Sequence, residues 1–326
     1  MGSARALVAA VFAIATGVVA PLYAQTPAGD ATRPITLVVP IAAGGGMDTI
    51  GRLVAEKLQE RLKQAVVVEN RVGGGSLIGI NSVAKSAPDG RTLLLMDVSA
   101  VVVKWLNRNV PFDVIQDLDP VALVATTPLL LFAHPSLPAA DFRELIAYAK
   151  KNPGKLTVGT PGVGTPHHLA AAMLNSSAQV EIVHVPYRGT APSLNDLLGA
   201  RIPLIWATPV AVMPHVDAGK VKILATASSR RLPRFPQVPT VAEHALPGFN
   251  VDIWFGIAAP SGTPRDTIER IGRAIREITE LPDVRSRMDT LGYDLDPGDS
   301  ARLRDLVASD HARYGAVIRD LGIQPN

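Results

Sequence analysis

Short β-branched and apolar runs alternate with segments of helical periodicity along this chain. The run Ile35-Thr-Leu-Val-Val39 is typical of a buried parallel strand. The segment after it has the spacing of an amphipathic helix, with apolar positions at Ile50, Leu53, Val54, Leu58 and Leu62. The same alternation predicts strands at 35–39, 65–69, 92–96, 121–125, 129–133, 156–159, 180–185, 202–206, 221–226 and 253–258. It predicts helices at 48–62, 76–86, 99–107, 141–151, 166–175, 191–199, 209–218, 264–280, 282–291 and 300–320.

This alternation predicts an α/β fold with mostly parallel sheets flanked by helices. Ten strands are more than one small sheet holds, so we expect two lobes with a cleft between them. Such a cleft is a favoured place for small-ligand sites. We expect the chain to cross between lobes near His134-Pro135 and near Pro247-Gly248. Lobe 1 would then comprise residues 33–133 plus 250–326, and lobe 2 residues 134–249, with the C-terminal helices returning to lobe 1.

The turn from Ala43 to Asp48 carries three consecutive glycines between a predicted strand and a predicted helix. Glycines there allow a ligand to approach the backbone, and the free N–H groups of the helix start can receive an anion. The turn contains no Lys, Arg, Ser or Cys. It therefore indicates reversible anion binding through neutral donors rather than catalysis.

Three further turns of this type follow predicted strands, at 70–76, 159–166 and 187–192. Ligands of open α/β sheets bind at the carboxyl ends of strands, where all four turns lie. Any one glycine turn is explained by tight chain reversal alone, but four of them, two in each predicted lobe, favour a ligand site. The glycine spacing fits neither a dinucleotide fingerprint nor a P-loop.

Composition excludes several functional classes. The formal charge of +3 arises from scattered basic residues, and aromatic residues make up only 5%, which does not resemble a nucleic-acid-binding surface. The chain has no cysteine, so disulfides, thiolate metal sites and a cysteine nucleophile are excluded.

The first 24 residues have the pattern of an export signal. Arg5 precedes an apolar stretch from Leu7 to Ala20, which is short for a bilayer span. Residues 1–24 would be removed by cleavage after Ala24, giving an exported protein. An uncleaved N-terminal anchor is the alternative, and no later stretch is long and apolar enough to span a membrane.

Few residues suggest reaction chemistry. Asp48 is most simply a helix-capping residue that pairs with Arg52 four positions on. His167 and His168 point about 100° apart on a helix, so they cannot chelate one metal ion well, and either could line the cleft. Since no nucleophile–base motif is present, we expect no catalytic residue, no metal and no cofactor.

An ordered set of motifs resembles one known family, the Bug-type periplasmic solute receptors of tripartite tricarboxylate transporters. In the first half these are Arg33-Pro-Ile-Thr-Leu-Val-Val-Pro40, the Gly-Gly-x-x-Asp turn at 45–48, Val68-Glu-Asn-Arg71, Ala87-Pro-Asp-Gly90 and Val110-Pro-Phe-Asp113. In the second half they are Gly162-x-Gly-Thr-x-x-His168, Val185-Pro-Tyr-Arg-Gly189, Ala218-Gly-Lys220, Val238-Pro-Thr-Val-Ala-Glu243 and Ala259-Pro-x-Gly-Thr-Pro264.

The resemblance implies a two-lobe flytrap receptor that closes over an organic carboxylate and delivers it to a large and a small membrane subunit. The partners would be that carboxylate and those subunits, not nucleic acid, and we expect a monomer. The ligand-binding positions implied by the family are Ala43, Gly44, Gly45, Asp48, Gly74, Gly75, Ser76, Ser99, Thr160, Gly162, Val163, Gly164, Thr165, Gly189, Thr190 and Thr208.

One departure from the family concerns the ligand class. After the strand Ile202 to Ile205 the family often has a Phe or Met with an Asp that would contact a ligand ammonium, whereas this chain has Trp206-Ala207-Thr208. The departure favours a plain carboxylic acid. Two alternative functions stay open: a loaded receptor that signals through a histidine kinase, and, more remotely, an exported hydrolase using Asp48 and His168.

Overall fold

A computed structural model describes residues 33–244 and 248–323. The strands of this part of the chain are Ile35–Val39 (β1), Val66–Asn70 (β2), Thr92–Asp97 (β3), Leu118–Thr127 (β4), Leu130–Ala133 (β5), Leu156–Thr160 (β6), Ile182–Pro186 (β7), Leu204–Ala207 (β8), Lys222–Thr226 (β9), Ile253–Pro260 (β10) and Asp294–Gly298 (β11). The helices are Gly46–Leu62 (α1), Leu77–Ala84 (α2), Ser99–Leu106 (α3), Phe142–Lys151 (α4), Pro166–Ala178 (α5), Thr190–Leu198 (α6), Pro209–Asp217 (α7), Arg265–Thr279 (α8), Pro282–Thr290 (α9) and Ser300–Asp320 (α10).

The strands form two sheets, each flanked by helices. The first sheet has the order β11-β4-β10-β3-β1-β2, and the second has the order β7-β6-β8-β5-β9. The predicted α/β architecture is therefore present. The sheets are mixed rather than mostly parallel, because β4, β10 and β11 pair antiparallel in the first sheet and β5 pairs antiparallel with both neighbours in the second.

The antiparallel pairings of β5 and β10 arise where the chain passes between the sheets. β4 leads directly into β5 through Pro128 and Leu129, and the return path runs from β9 to β10. Among the described residues, neither passage contains the α-helix that connects parallel neighbours. Consequently β5, which the sequence boundaries placed in lobe 1, pairs within the second sheet. The division into lobes stays a prediction, and Pro247 of the second predicted crossing lies outside the described residues.

Burial on both faces explains why the central strands have near-continuous apolar runs. Every residue of β10 is buried, as are five of the six residues of β3. The C-terminal helices cover this first sheet: α8 packs on β4 and α1, and α10 packs on β4 and α3. α8 does so with a regular apolar face at Ile268, Ile271, Ile275 and Ile278. The predicted return of these helices to the first part of the chain is confirmed.

The edge strand β11 was not predicted, because its sequence Asp-Leu-Asp-Pro-Gly has the composition of a turn. No helix of the described part of the chain has the length and apolarity needed to cross a membrane. The predicted signal segment 1–24 lies outside the described residues.

Candidate ligand-binding site

The four glycine-containing turns meet where the two sheets face each other. A Cβ placed on Gly46 at the start of α1 would lie 2.6 Å from the Thr208 hydroxyl oxygen, which precedes α7. A Cβ placed on Gly75 would lie 1.5 Å from the Val163 carbonyl oxygen. Gly46 and Gly75 belong to turns of the first sheet, and Thr208 and Val163 to turns of the second. The turns thus approach so closely that only glycine fits at both positions.

Three helices begin at this junction without a side-chain cap. They are α1 after Gly45, α6 after Gly189 and α7 after Thr208. The first N–H groups of a helix have no partner within the helix, and they carry the positive end of its dipole. Three such starts line one space, and their N–H groups are donors of the kind that suit an anionic group without Lys or Arg.

The space between these helix starts is a small cavity, which we call the closed pocket. It is lined by Ile41, Gly46, Met47, Asp97, Ser99, Pro161, Thr165, His167, Thr190, Thr208, Ile253 and Phe255. Its volume, counted as the space that the centre of a water-sized sphere can occupy, is about 20 Å³. That is sufficient for about one water and far below the several hundred Å³ of ordinary ligand pockets. A bound organic acid therefore requires the walls to move apart.

A second, open depression, the outer groove, adjoins the closed pocket and has a volume of about 540 Å³. It is lined by Pro40, Ile41, Val72, Gly73, Gly74, Gly75, Ser76, Ile78, Pro161, Gly162, Val163, Thr165, Pro186, Tyr187 and Arg188. Ile41, Pro161 and Thr165 belong to both linings. The outer groove therefore lies next to the closed pocket, with these three residues between the two cavities.

The predicted ligand-binding positions fall into three groups in the structure. Those that line the closed pocket are Ser99, Thr165, Thr190 and Thr208. Those that line the outer groove are Gly74, Gly75, Ser76, Gly162, Val163 and again Thr165. Those that line neither are Ala43, Gly44, Gly45, Asp48, Thr160, Gly164 and Gly189. Of the third group, Asp48 and Thr160 accept hydrogen bonds from backbone N–H groups of the turns.

Asp48 organises the first turn. Its carboxylate accepts hydrogen bonds from the Gly44 N–H at 3.0 Å, from Asn70 Nδ2 at 2.9 Å and from two nitrogens of Arg52 at 2.9 and 3.0 Å. Burial of the carboxyl raises its pKa, but the hydrogen bonds from Arg52, Asn70 and Gly44 outweigh this effect and lower the pKa overall. The predicted pairing with Arg52 is confirmed. The carboxylate points into the turn that it stabilises, with these three residues as its partners.

The third turn is held by two threonines and a histidine pair. Thr165 caps α5 by accepting the His168 N–H at 3.3 Å, and its hydroxyl donates to the Gly162 carbonyl at 2.7 Å. Thr160 lies 2.6 Å from His184 Nε2. The rings of His168 and His184 stack with centroids 4.3 Å apart, and burial lowers the pKa of each to about 4. Both rings are therefore neutral at pH 7 and support the turn.

Sequence reasoning missed the buried residues Asp97 and Met47 in the closed pocket. It left open which of two adjacent histidines faces the cleft, and the structure places His167 in the lining. Burial lowers the pKa of His167 to about 3, so the ring is neutral, and its Nδ1 has no hydrogen-bond partner. Asp97 could have been found from its position at the carboxyl end of a predicted strand. Met47 carries no polar signal of this kind.

The glycine positions differ in what they require. Gly44 has φ +86° and Gly75 has φ +61°, values that favour glycine. Gly45, by contrast, is extended with φ −91°. Position 46 requires glycine for lack of space. The Tyr293 hydroxyl donates a hydrogen bond to the Gly46 carbonyl oxygen, and a Cβ placed on Gly46 would lie 2.8 Å from that hydroxyl. Within residues 33–244 and 248–323, no three acidic or histidine side chains are grouped so that they could hold a metal ion.

Comparison with known proteins identifies this architecture. Residues 50–323 match the model of the tripartite tricarboxylate transporter family receptors. Protein BugT of Bordetella pertussis is 35% identical over 315 residues, covering 96% of this chain and 95% of BugT. A protein of Pseudomonas sp. strain P51 encoded in the tcbD-tcbE intergenic region is 38% identical over 296 residues, covering 90% of this chain and 88% of that protein.

Solved structures agree with the sequence relatives. The periplasmic binding protein BugD superposes with a TM-score of 0.85 at 32% identity, covering 90% of this chain and 99% of BugD. Rpa4515 of R. palustris with adipate gives 0.86 at 31% identity, with coverage of 90% and 99%. MatC of Rhodopseudomonas palustris with bound malate gives 0.83 at 32% identity, with coverage of 87% and 98%. The predicted two-lobe fold and family resemblance are confirmed, and this chain belongs to the tripartite tricarboxylate transporter receptor family of periplasmic solute-binding proteins.

Proposed function

We propose that this protein captures an organic carboxylate between its two sheets and delivers it to the membrane subunits of a tripartite transporter. The observation that carries the proposal is the convergence of three uncapped helix starts, those of α1, α6 and α7, on one pocket without Lys or Arg. Their N–H groups can bind a carboxylate reversibly because neutral donors hold an anion without a formal ion pair.

The relatives support this ligand class. Rpa4515 was solved with adipate and MatC with malate, and both are carboxylates. The outer groove lies beside the closed pocket, and the hydroxyls of Thr190 and Thr208 supply further donors in that pocket. Closure over the ligand would bring the turns of the two sheets together around it.

The same proposal extends to location, partners and activity. We expect export by the N-terminal segment, cleavage after Ala24, and a periplasmic monomer that meets a large and a small membrane subunit. We expect no turnover of the ligand. Mass spectrometry of the protein purified from its native compartment tests the cleavage, since a mature chain that begins at Gln25 is expected.

A thermal-shift panel of mono-, di- and tricarboxylates tests the capture function. At least one acid should raise the melting temperature in a dose-dependent way, because a ligand that binds only the folded state stabilises it by mass action. The same acid should be recovered unchanged after prolonged incubation with the protein. Consumption at a rate proportional to protein concentration, or no stabilisation by any carboxylate, would contradict the proposal.

A further inference from the structure

Asp97 is a buried carboxyl group in the wall of the closed pocket. It ends β3, opposite Phe255 of β10, and only 6% of the residue's surface is exposed. Its Oδ1 accepts the Ser99 N–H at 2.8 Å, which fixes the start of α3. The carboxyl therefore has a defined orientation beside the space that a ligand would occupy.

The pocket lining offers this carboxyl group no positive side chain. No Lys or Arg belongs to the lining, and His167 is neutral because burial lowers its pKa to about 3. Burial likewise raises the pKa of Asp97, and the hydrogen bonds from Ser99 only partly oppose this effect. A buried carboxylate without a counter-charge is strongly unfavourable, so Asp97 either holds a proton or pairs with a cation from outside the protein.

The opposite requirement holds elsewhere in the same pocket. The helix starts at Gly46, Thr190 and Thr208 present N–H groups that call for an acceptor. One wall therefore suits an anion and the wall at Asp97 suits a cation. A solute that carries both a carboxylate and an ammonium group complements both walls.

We propose that Asp97 is a specificity-determining residue that pairs with an ammonium group of the solute, so that this receptor prefers amino-substituted carboxylates over plain ones. This inference rests on the proposed carboxylate-binding function and narrows it. It reverses the expectation drawn from the sequence, where the absence of an acid after 202–206 favoured a plain acid. In the structure, the acidic group comes from β3 instead of from the segment after β8.

Matched ligand pairs test the proposal by isothermal titration calorimetry. For carbon skeletons of three to six atoms, each plain mono- or dicarboxylate is compared with its 2-amino counterpart, for example succinate with aspartate and glutarate with glutamate. We expect the best amino member to bind the wild type at least about tenfold more tightly than its plain partner, because only it compensates the buried carboxylate.

Asp97→Asn is the informative variant. The Asn Oδ1 can still accept the Ser99 N–H, so the start of α3 is preserved while the charge is removed. We expect Asp97→Asn to lose the preference for the amino member while binding the plain member as well as or better than the wild type does. Asp97→Ser, which can also accept that N–H, is a second variant should Asp97→Asn unfold, and chemical denaturation monitors both.

Asp141→Asn is the matched control. Asp141 is exposed and accepts the Glu144 N–H at 2.8 Å at the start of α4, remote from the pocket, so this substitution removes the same charge and keeps the same kind of cap. It should leave both affinities unchanged.

Two results would overturn the role of Asp97 while leaving carboxylate capture intact. One is equal or tighter binding of plain acids by the wild type. The other is uptake of a proton when a plain dicarboxylate binds the wild type but not Asp97→Asn, which would make Asp97 a protonated donor to a second carboxylate. Failure of every plain and amino member to bind would instead reject the proposed function, and the assignment of Asp97 with it.

Discussion

Gly75 and Val163 meet across the cleft at a distance that leaves no room for a side chain. A Cβ on Gly75 would lie 1.5 Å from the Val163 carbonyl oxygen. Gly75 follows β2 of the first sheet, and Val163 follows β6 of the second. The contact therefore belongs to the arrangement in which the two sheets are closed on each other, and substitutions at Gly75 should report on closure.

Gly75→Ala is expected to lower ligand affinity by at least about tenfold, because a ligand held by both sheets binds the closed form and the added methyl group opposes that form. Calorimetric titration with a carboxylate that stabilises the wild type measures this loss. Solution scattering should show a smaller radius of gyration on ligand addition for the wild type and no such change for Gly75→Ala.

Gly74→Ala is the control for backbone strain. Gly74 has φ +58°, close to the +61° of Gly75, so both substitutions carry a similar strain of about 1 kcal/mol. The Cβ of Gly74 would approach Leu77 of the same turn, at 3.1 Å, instead of the opposite sheet. If Gly74→Ala and Gly75→Ala lose affinity equally, steric obstruction of closure is not the cause.

Thr165→Ala should lower both stability and affinity. Its hydroxyl caps α5 and bonds to the Gly162 carbonyl, so removal should reduce the free energy of unfolding by about 1 kcal/mol, the usual value of a helix cap. The residue lines both the closed pocket and the outer groove, so carboxylate affinity should fall by a similar free energy. Denaturation and calorimetry measure the two effects. Thr165→Ser retains the hydroxyl and should restore both, and an affinity equal to wild type in Thr165→Ala would remove this hydroxyl from the site.

Asp48→Ala should destabilise the first turn by about 2 kcal/mol, since it leaves the Gly44 N–H, Asn70 and Arg52 without their shared acceptor. Chemical denaturation gives the change in the free energy of unfolding. The comparison is Glu69→Ala, which breaks a two-bond contact with Arg71 at the surface, where exposed pairs contribute at most about 1 kcal/mol. Equal losses of unfolding free energy in the two variants would show that the buried hydrogen bonds of Asp48 stabilise the protein no more than the exposed pair does.

The sequence predicted the elements and the positions of the four turns because both depend on local patterns. Strand β1 and helix α1 follow from residues 35–62 alone, and glycine runs mark their turn. Sheet direction could not be predicted in this way, since the antiparallel pairing of β10 with β4 depends on how the chain returns from the second sheet. β11 shows the same limit, because its pairing with β4 overrides a turn-like composition.

Which residues line the closed pocket also depends on contacts between distant parts of the chain. Thr165, Thr190 and Thr208 were placed among the ligand positions by resemblance, each adjoins a predicted helix start, and the structure brings them together. Asp97 and His167 are separated by 70 positions along the chain, and no local pattern places them in one cavity. Asp48 was placed among the ligand positions by resemblance, whereas its hydrogen bonds in the structure go to Gly44, Arg52 and Asn70.

The stacked pair His168 and His184 should make stability fall in mild acid. Burial lowers the pKa of both rings to about 4 from 6.5, and for His168 the neighbouring charge of His184 adds to this effect. Between pH 6.5 and 4 the unfolded chain therefore binds more protons than the folded chain, so the free energy of unfolding decreases as the pH falls through this window. For His168 the total loss is on the order of 3 kcal/mol. Denaturant titrations at intervals from pH 7 to 4 should show this decline, with a smaller slope for His184→Gln. A stability that stays constant from pH 6.5 to 4, or a His184→Gln slope equal to that of the wild type, would contradict a buried neutral pair.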